Sequence, residues 1–359
     1  MTSWPLWILV AVFAASAGVI WLAGIKLSET TDVLDKRLHL GSAMGGLIVL
    51  AVATNLPEIA ITVAAAFSGH VEVAVGNILG GIAIQTVVIA VLDLVGKRGQ
   101  GAKPITYRAA SLTLVLEALA VVAVLAVVVA GSELPSRLLF ARLTPDVVLI
   151  AALWLVGLLL VQRAGRGLPW HEDGTAPGAT SHRGRHGHAQ ADSQKEAEKR
   201  SGSSTARTVL IFAASALATL LAGVTLERSG EAASGHIGIT GVLFGATVLA
   251  LATSLPEIST GLQAVRQGND DLALSDIFGG NAFLPVLFLV ATVISGKAVL
   301  PTANNTDIYL TAVSVLLTLV YVVGLIFRPR RRVAGMGVDS VTVVVLYLVA
   351  LAGLVAIAR

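Results

Sequence analysis

VLAVATNLPEI, residues Val49–Ile59, lies in one of the most apolar stretches of the chain, yet it contains a proline and a glutamate. Neither suits a helix in lipid. Proline removes a backbone N–H and crowds the preceding turn, and an acid at membrane depth is costly. VLALATSLPEI follows at Val248–Ile258, offset by 199 residues and identical at nine of eleven positions. With the same offset and no gap, GNILGGIA at Gly76–Ala83 falls on SDIFGGNA at Ser275–Ala282. Glu58 thus pairs with Glu257, Asn77 with Asp276, and Gly80-Gly81 with Gly279-Gly280. Chance similarity between Ala/Val/Leu-rich helices does not reproduce Pro, Glu, Thr and Gly-Gly in two blocks at one offset.

The surrounding composition sets the class. Of 359 residues, 55% are hydrophobic and 13% charged, with mean hydropathy +0.83. Soluble domains are closer to a quarter charged, so this is a polytopic membrane protein. The net charge of +3 does not point to nucleic acid; in a membrane protein the position of the basic residues carries the information. There is no cysteine, which excludes disulfides, thiolate metal sites and cysteine nucleophiles. The N-terminal MTSWPLWILV lacks the basic start of a signal peptide and reads as the beginning of a first span.

A span needs about 20 mostly apolar residues. Ten are expected, near 4–25, 38–66, 71–96, 108–131 and 145–163, then 207–226, 237–265, 271–296, 306–327 and 338–357. The fold expected is therefore an all-α polytopic membrane protein with two five-helix halves, 1–163 and 207–359. Between them, 164–206 is rich in Gly, Ser, His and charge, with no apolar period, and reads as a flexible cytoplasmic linker. With that loop inside, all but five of the 25 Lys and Arg fall on the same side, the exceptions being Arg137, Arg142, Arg228, Lys297 and Arg359. This bias supports ten spans with both termini outside. Five spans separate the two copies of the motif, an odd number, so the copies enter the membrane in opposite directions. Inverted-topology repeats are typical of secondary transporters, with the substrate site at the midplane between repeats.

The duplicated element is suited to cations. Thr54, Asn55 and Glu58 share one helical face, as do Thr253, Ser254 and Glu257. Pro57 and Pro256 have no N–H, so the carbonyls of Ala53 and Ala252 lose their intrahelical donors. Each break offers a carboxylate, a hydroxyl, a short polar side chain and a backbone carbonyl. All carry oxygen, and hard cations such as Ca²⁺ take 6–8 oxygens. Neither Glu has a Lys or Arg in its span, and intramembrane acids are functional by default. Asn77, Gln85, Asp276 and Asn281 add oxygen donors near the Gly-Gly pairs, which allow close helix approach. Asp276 also fits a helix-terminal acid. Glu117, whose mate is Leu316, fits either a proton relay or a buried hydrogen bond between helices, and the structural role is favoured. The run HRGRHGH at His182–His188 reads as part of a soluble segment rather than a metal site. RPRRR at Arg328–Arg332 reads as an anchor beside anionic lipid.

On TNLPE, TSLPE and the Gly-rich spans after them, the chain resembles the sodium/calcium exchanger family of the cation/calcium exchanger superfamily. The resemblance implies that Glu58 and Glu257 are the central cation carboxylates, with Thr54, Thr253, Asn55 and Ser254 beside them. It implies alternating access, with the first and sixth spans sliding over a fixed core. It calls for no cofactor; Ca²⁺, with Na⁺ or H⁺, is cargo. The chain departs from the family pattern at Gly81 and Gly280, where Ser is usual, at Leu284, where Asn or Asp is usual, and at Asn55, where Ser is usual. The linker is too short for the folded regulatory domains of the animal exchangers.

The function expected is an antiporter of the cell (inner) membrane, Ca²⁺ against Na⁺ or H⁺, whose partners are small inorganic cations and the bilayer, not nucleic acid. A monovalent cation/proton exchanger on the same scaffold is the alternative. An intramembrane hydrolase would want paired acids too, but no HExxH motif is present. A channel would share the oxygen ligands without coupling one ion to another.

Overall fold

The computed structural model describes residues 4–38, 51–96, 103–109, 111–165, 205–237 and 245–357. The first half contains α1 (Leu6–Leu38), α2 (Leu56–Ser68), α3 (Val71–Val95), the short α4 (Ile105–Arg108), α5 (Leu112–Ser132) and α6 (Pro145–Gly165). The second contains α7 (Thr205–Ile237), α8 (Ala250–Thr253), α9 (Leu255–Gln267), α10 (Asp270–Phe283), α11 (Leu287–Ser295), α12 (Asn305–Phe327) and α13 (Val338–Ile357). A two-stranded hairpin, β1 (Arg332–Val333) and β2 (Met336–Gly337), precedes α13. Its tip, Ala334-Gly335, has both φ positive, the turn that matches strand twist.

Among the described residues, eight helical segments are long and apolar enough to cross a membrane. They coincide with eight of the ten expected spans. The other two are the motif-bearing stretches, which are broken: α2 is only 13 residues long, and α8 and α9 follow a π-helical turn at Gly245–Leu249. Parts of both stretches, 39–50 and 238–244, lie outside the described residues, as do 166–204 with the HRGRHGH run, so the expectations for them stay as stated.

Two expectations need correcting. The first and sixth spans, expected at 4–25 and 207–226, are each 33-residue helices. At 1.5 Å per residue each is about 50 Å long, well beyond the hydrocarbon core. Hydropathy marks only the apolar part; the polar turns SETTDVLDKRL and ERSGEAASGHI continue the same helix.

The halves cross over one another. α1 packs along α7 and on α9 of the second half, while α7 packs on α2 of the first. The crossing points obey the sequence offset. A β-carbon placed on Gly24 would lie 3.1 Å from Pro256 Cα, and one on Gly223 would lie 3.2 Å from Pro57 Cα. A side chain at either glycine would have to push its helix back from the opposite proline by a few tenths of an ångström. The offset holds again at the helix ends. Gly69 (φ 81°) closes α2 and Gly268 (φ 79°) closes α9 in the left-handed conformation, which costs glycine no steric strain.

α3 is buried on nearly every face, including Ile78, Leu79, Ile82 and Ile89. A helix apolar all round belongs in the centre of the bundle. α6 and α13 face outward, exposing Leu155, Leu159, Leu160, Leu348 and Val349 to lipid. At one end of α3, the buried Asp93 ties the bundle shut. Its Oδ1 accepts from Ile105 N (2.8 Å), and its Oδ2 accepts from Gly337 N (2.6 Å) and Ser340 Oγ (3.0 Å). Nearby, Arg108 pairs bidentately with Asp270 at 2.7 and 2.8 Å, and Lys103, Arg328 and Arg330 surround the Tyr107 ring. This end carries the basic loops that charge bias assigns to the cytoplasm.

Candidate cation site

Asn55 and Ser254 stand at the two breaks with matching backbone, φ/ψ −84°/16° and −79°/5°. Helical bonds continue across each, Asn55 N to Ala51 O (3.2 Å) and Ser254 N to Ala250 O (3.0 Å). Pro57 and Pro256 then occupy the first turn of α2 and α9, where a missing N–H is tolerated. The result is a local kink that leaves Glu58 and Glu257 at the N-terminal ends of short helices, where the backbone favours negative charge.

All twelve residues expected at the site are buried: Thr54, Asn55, Glu58, Gln85, Thr253, Ser254, Glu257 and Asn281 fully, and Ala53, Asn77, Ala252 and Asp276 nearly so. The charged neighbours of Glu257 are Glu58 and Asp276. Asp276, expected as an oxygen donor and also fitting a helix-terminal acid, is buried, with Oδ2 accepting from Thr260 Oγ1 at 2.6 Å. Thr253 lies beside Glu58 and Thr54 beside Asp276. Both threonines also reach back to backbone carbonyls, Thr253 Oγ1 to Ala250 O (3.2 Å) and Thr54 Oγ1 to Ala51 O (3.3 Å).

The oxygens left without a hydrogen-bond partner define the site. They are both oxygens of Glu58, Oε2 of Glu257, Oδ1 of Asp276, and the amide oxygens of Asn77, Gln85 and Asn281. Buried polar atoms are nearly always satisfied, and unpaired carboxylate oxygens in a protein interior are among the most costly exceptions. Among the described residues no Lys or Arg pairs with these acids; the ion pairs there are Lys26–Glu29 and Arg108–Asp270. What would satisfy this set is a cation. No three acids or histidines among the described residues converge into a ready metal centre, so the donors are a carboxylate pair with amide, hydroxyl and carbonyl oxygens around it.

Not every expected ligand is equally free. The Asn55 amide is engaged at both ends, donating to Ala51 O at 2.7 Å and accepting from Gln85 Nε2 at 3.4 Å. Gln85 Nε2 also reaches Glu257 Oε1 at 3.4 Å. Asn281 links α10 to α3 through Thr86 at 3.1 Å. Sequence reading passed over Thr62, Thr86 and Thr260, all buried. Their signal was position: Thr62 lies four residues after Glu58 and Thr260 three after Glu257, each on the glutamate's face. Glu117 lies away from this set. It is buried against Ser275 on α10, with Oε2 unpaired beside a partly open apolar pocket that Trp154 and Phe278 also line.

A family model described as sodium/calcium exchanger protein matches residues 8–161 and 207–356, which takes in nearly all of both halves. The chain belongs to the sodium/calcium exchanger family. Relatives extend along this exchanger's length. A putative antiporter, CaxA of Alkalimonas amylolytica, is 27% identical over 294 residues, covering 81% of this chain and 82% of the relative. The inner membrane protein YrbG of Escherichia coli is 24% identical over 315 residues, covering 87% and 86%. Human sodium/potassium/calcium exchanger 1 is 33% identical, over a 101-residue segment. In solved structures, the sodium-calcium exchanger NCX_Mj shares the fold, with TM-score 0.63, 15% identity, and coverage of 97% of this exchanger and 99% of NCX_Mj. The exchanger is thus a membrane-embedded transporter of small inorganic cations, not an enzyme.

Proposed function

We propose that the chain is a secondary antiporter that moves Ca²⁺ against Na⁺ or H⁺ by alternating access. Glu58 and Glu257 are its central ligands, and Thr54, Thr253, Ser254, Ala53, Ala252, Asn77, Asp276 and Asn281 supply further oxygens. The observation that carries this reading is the cluster of buried, unpaired oxygens around a carboxylate pair with no neighbouring basic side chain. The clustered negative charge suits a divalent ion better than a monovalent one.

Ten spans arranged as two inverted five-helix repeats, with 164–206 as a cytoplasmic linker and both termini outside in the inner membrane, complete the proposal. The paired crossings Gly24 on Pro256 and Gly223 on Pro57 support the repeat. They also suggest how access alternates: two long helices, each resting on a proline through glycine, slide while α2, α3, α9 and α10 hold the ion. Protons compete for the same carboxylates, so H⁺ serves as counter-ion on the same chemistry as Na⁺.

The test is gradient-driven ⁴⁵Ca²⁺ uptake into proteoliposomes, with outward Na⁺, K⁺ or H⁺ gradients imposed in turn. Glu58→Gln and Glu257→Gln are expected to abolish uptake while the protein remains monodisperse. Full uptake in either variant overturns the assignment. Robust Na⁺/H⁺ or K⁺/H⁺ exchange with no Ca²⁺ dependence would select the monovalent alternative. Uptake indifferent to any counter-gradient would mark a channel.

A further inference from the structure

Arg328–Arg332, one basic run in the sequence, divides in the structure. Arg328 caps the end of α12 in the left-handed conformation (φ 49°, ψ 60°), which favours glycine over arginine. From there Nη2 donates to Tyr107 O at 2.8 Å, while Nε is buried with no acceptor among the described residues. Arg332 Nη2 donates to Asp93 O at 3.2 Å. Arg330 and Arg331 stay exposed.

Three cations gather on one ring. Lys103 Nζ lies 4.3 Å, Arg328 Cζ 4.9 Å and Arg330 Cζ 5.7 Å from the Tyr107 centroid. The ring's quadrupole attracts each of them, but it carries no net charge, so their mutual repulsion stands. The chain offers little to cancel it. No acid occurs between Asp93 and Glu117, or between Asp307 and Asp339, the two stretches that meet here. Of the buried acids at this end, Asp270 is committed to Arg108. Asp93 accepts from Ile105, Gly337 and Ser340, and Asp339 from Thr106 Oγ1 and Ser340 N. Among the described residues, the ion pairs are Lys26–Glu29 and Arg108–Asp270, and neither includes a cation of this cluster.

The surroundings are those of a membrane surface. The last turn of α12 exposes Val323 (53%), Ile326 (57%) and Phe327 (78%) directly before Arg328. The surface thus turns from apolar to cationic within one residue, beside a tyrosine, as at the headgroup level of a bilayer. Phosphate oxygens accept from Arg and Lys through strong charge-assisted bonds. One phosphodiester brings a single negative charge to three cations; a headgroup with two phosphates matches them better.

We propose that Lys103, Tyr107, Arg328 and Arg330 form a headgroup site for an anionic phospholipid, with preference for a headgroup of two phosphates over one. Lys103 and Tyr107 belong to the first half of the chain, Arg328 and Arg330 to the second. A bound headgroup therefore ties the connection between α3 and α5 to that between α12 and α13. The site does not depend on which ion the exchanger carries.

The test adds lipid to the full chain purified in a nonionic detergent, counts retained lipid by native mass spectrometry and reads the thermal midpoint. Cardiolipin is expected to be retained and to raise the midpoint, phosphatidylglycerol at equal phosphate to do so more weakly, and phosphatidylcholine to do neither. Lys103→Gln/Arg330→Gln should weaken cardiolipin retention roughly thirtyfold, about fivefold for each basic residue at an anionic surface. Arg163→Gln/Arg266→Gln removes the same charge from exposed residues in the last turns of α6 and α9, and should retain cardiolipin as the native protein does. Equal loss in the two double variants, or loss in neither, overturns the site. If Lys103→Gln/Arg330→Gln is not monodisperse, Arg330→Gln alone should lose about fivefold, and native retention in it overturns the site equally. Phosphatidylglycerol retained as tightly as cardiolipin at equal phosphate overturns the preference for two phosphates. Inorganic phosphate raising the midpoint as much as cardiolipin overturns the assignment to lipid. Glu58→Gln should retain cardiolipin as the native protein does, so this site and the cation site stand or fall separately.

Discussion

Alanine at Gly24 or Gly223 tests the crossing contacts, because the same helices contain their own controls. In an exposed helix interior, Gly→Ala gains about 1 kcal/mol of helix propensity. At Gly18 of α1 and Gly235 of α7, a β-carbon would meet nothing within 4 Å among the described residues, so that gain should appear undiminished. At Gly24 and Gly223 the new methyl lies 3.1 and 3.2 Å from a proline Cα, closer than an ordinary van der Waals contact. The atom it meets is backbone, with no flexible end to swing aside. Overpacking of this kind costs about 1–3 kcal/mol. Gly24→Ala should therefore be less stable than Gly18→Ala by about 1–3 kcal/mol, and Gly223→Ala less stable than Gly235→Ala by a similar amount. Thermal unfolding of the four variants in one detergent measures both differences. Equal stability within either pair refutes the close approach. A large penalty at Gly24 with none at Gly223 refutes the equivalence of the two crossings. The same variants should slow ⁴⁵Ca²⁺ exchange if the long helices slide over the prolines.

Asp93→Asn replaces one acceptor by a donor where Ile105 N, Gly337 N and Ser340 Oγ all converge. At least one buried N–H loses its partner, at about 1–3 kcal/mol, so the thermal midpoint should fall while Ca²⁺ affinity of the folded fraction stays unchanged. Glu117→Gln keeps an oxygen for Ser275 and lies away from the free oxygens of the site; Ca²⁺ flux is expected within about twofold of native, and its loss would return Glu117 to the transport path. If Glu58 and Glu257 ligate Ca²⁺ as proposed, protons compete for the same carboxylates, and metal affinity falls as its ligands protonate. Acidification should therefore raise the Ca²⁺ concentration giving half-maximal flux, by about tenfold per pH unit for each proton displaced; a flat profile between pH 5 and 8, on the order of the range where such competition is read, would argue against carboxylate ligation.

Much of this was written in the sequence, and the misses have physical causes. Eight spans were legible because lipid demands long apolar runs, and the breaks in the two motif-bearing stretches were legible through their prolines. The duplicated Glu58 and Glu257 could be read because nothing in their spans neutralises them. The full length of α1 and α7 was hidden, since their last turns are polar and hydropathy cannot tell a polar helix from a loop. The state of Asn55 was hidden too. Its residue type offers both an oxygen and an N–H, and only the neighbouring Ala51 carbonyl and Gln85 amide decide how each is used. Asp276 was legible as an oxygen donor, and its hydrogen bond from Thr260 was not, because sequence spacing alone does not say which helix faces it.

The crossings at Gly24 and Gly223 also bear on how the chain is made. Pro57 emerges from the ribosome long before Gly223, and Gly24 must wait for Pro256. The first half therefore enters the membrane with its kinked acid uncovered and its long helix unpartnered. Neither half is a self-sufficient folding unit in the bundle; each is the other's template. Co-expressed halves should reassemble where either one alone is degraded.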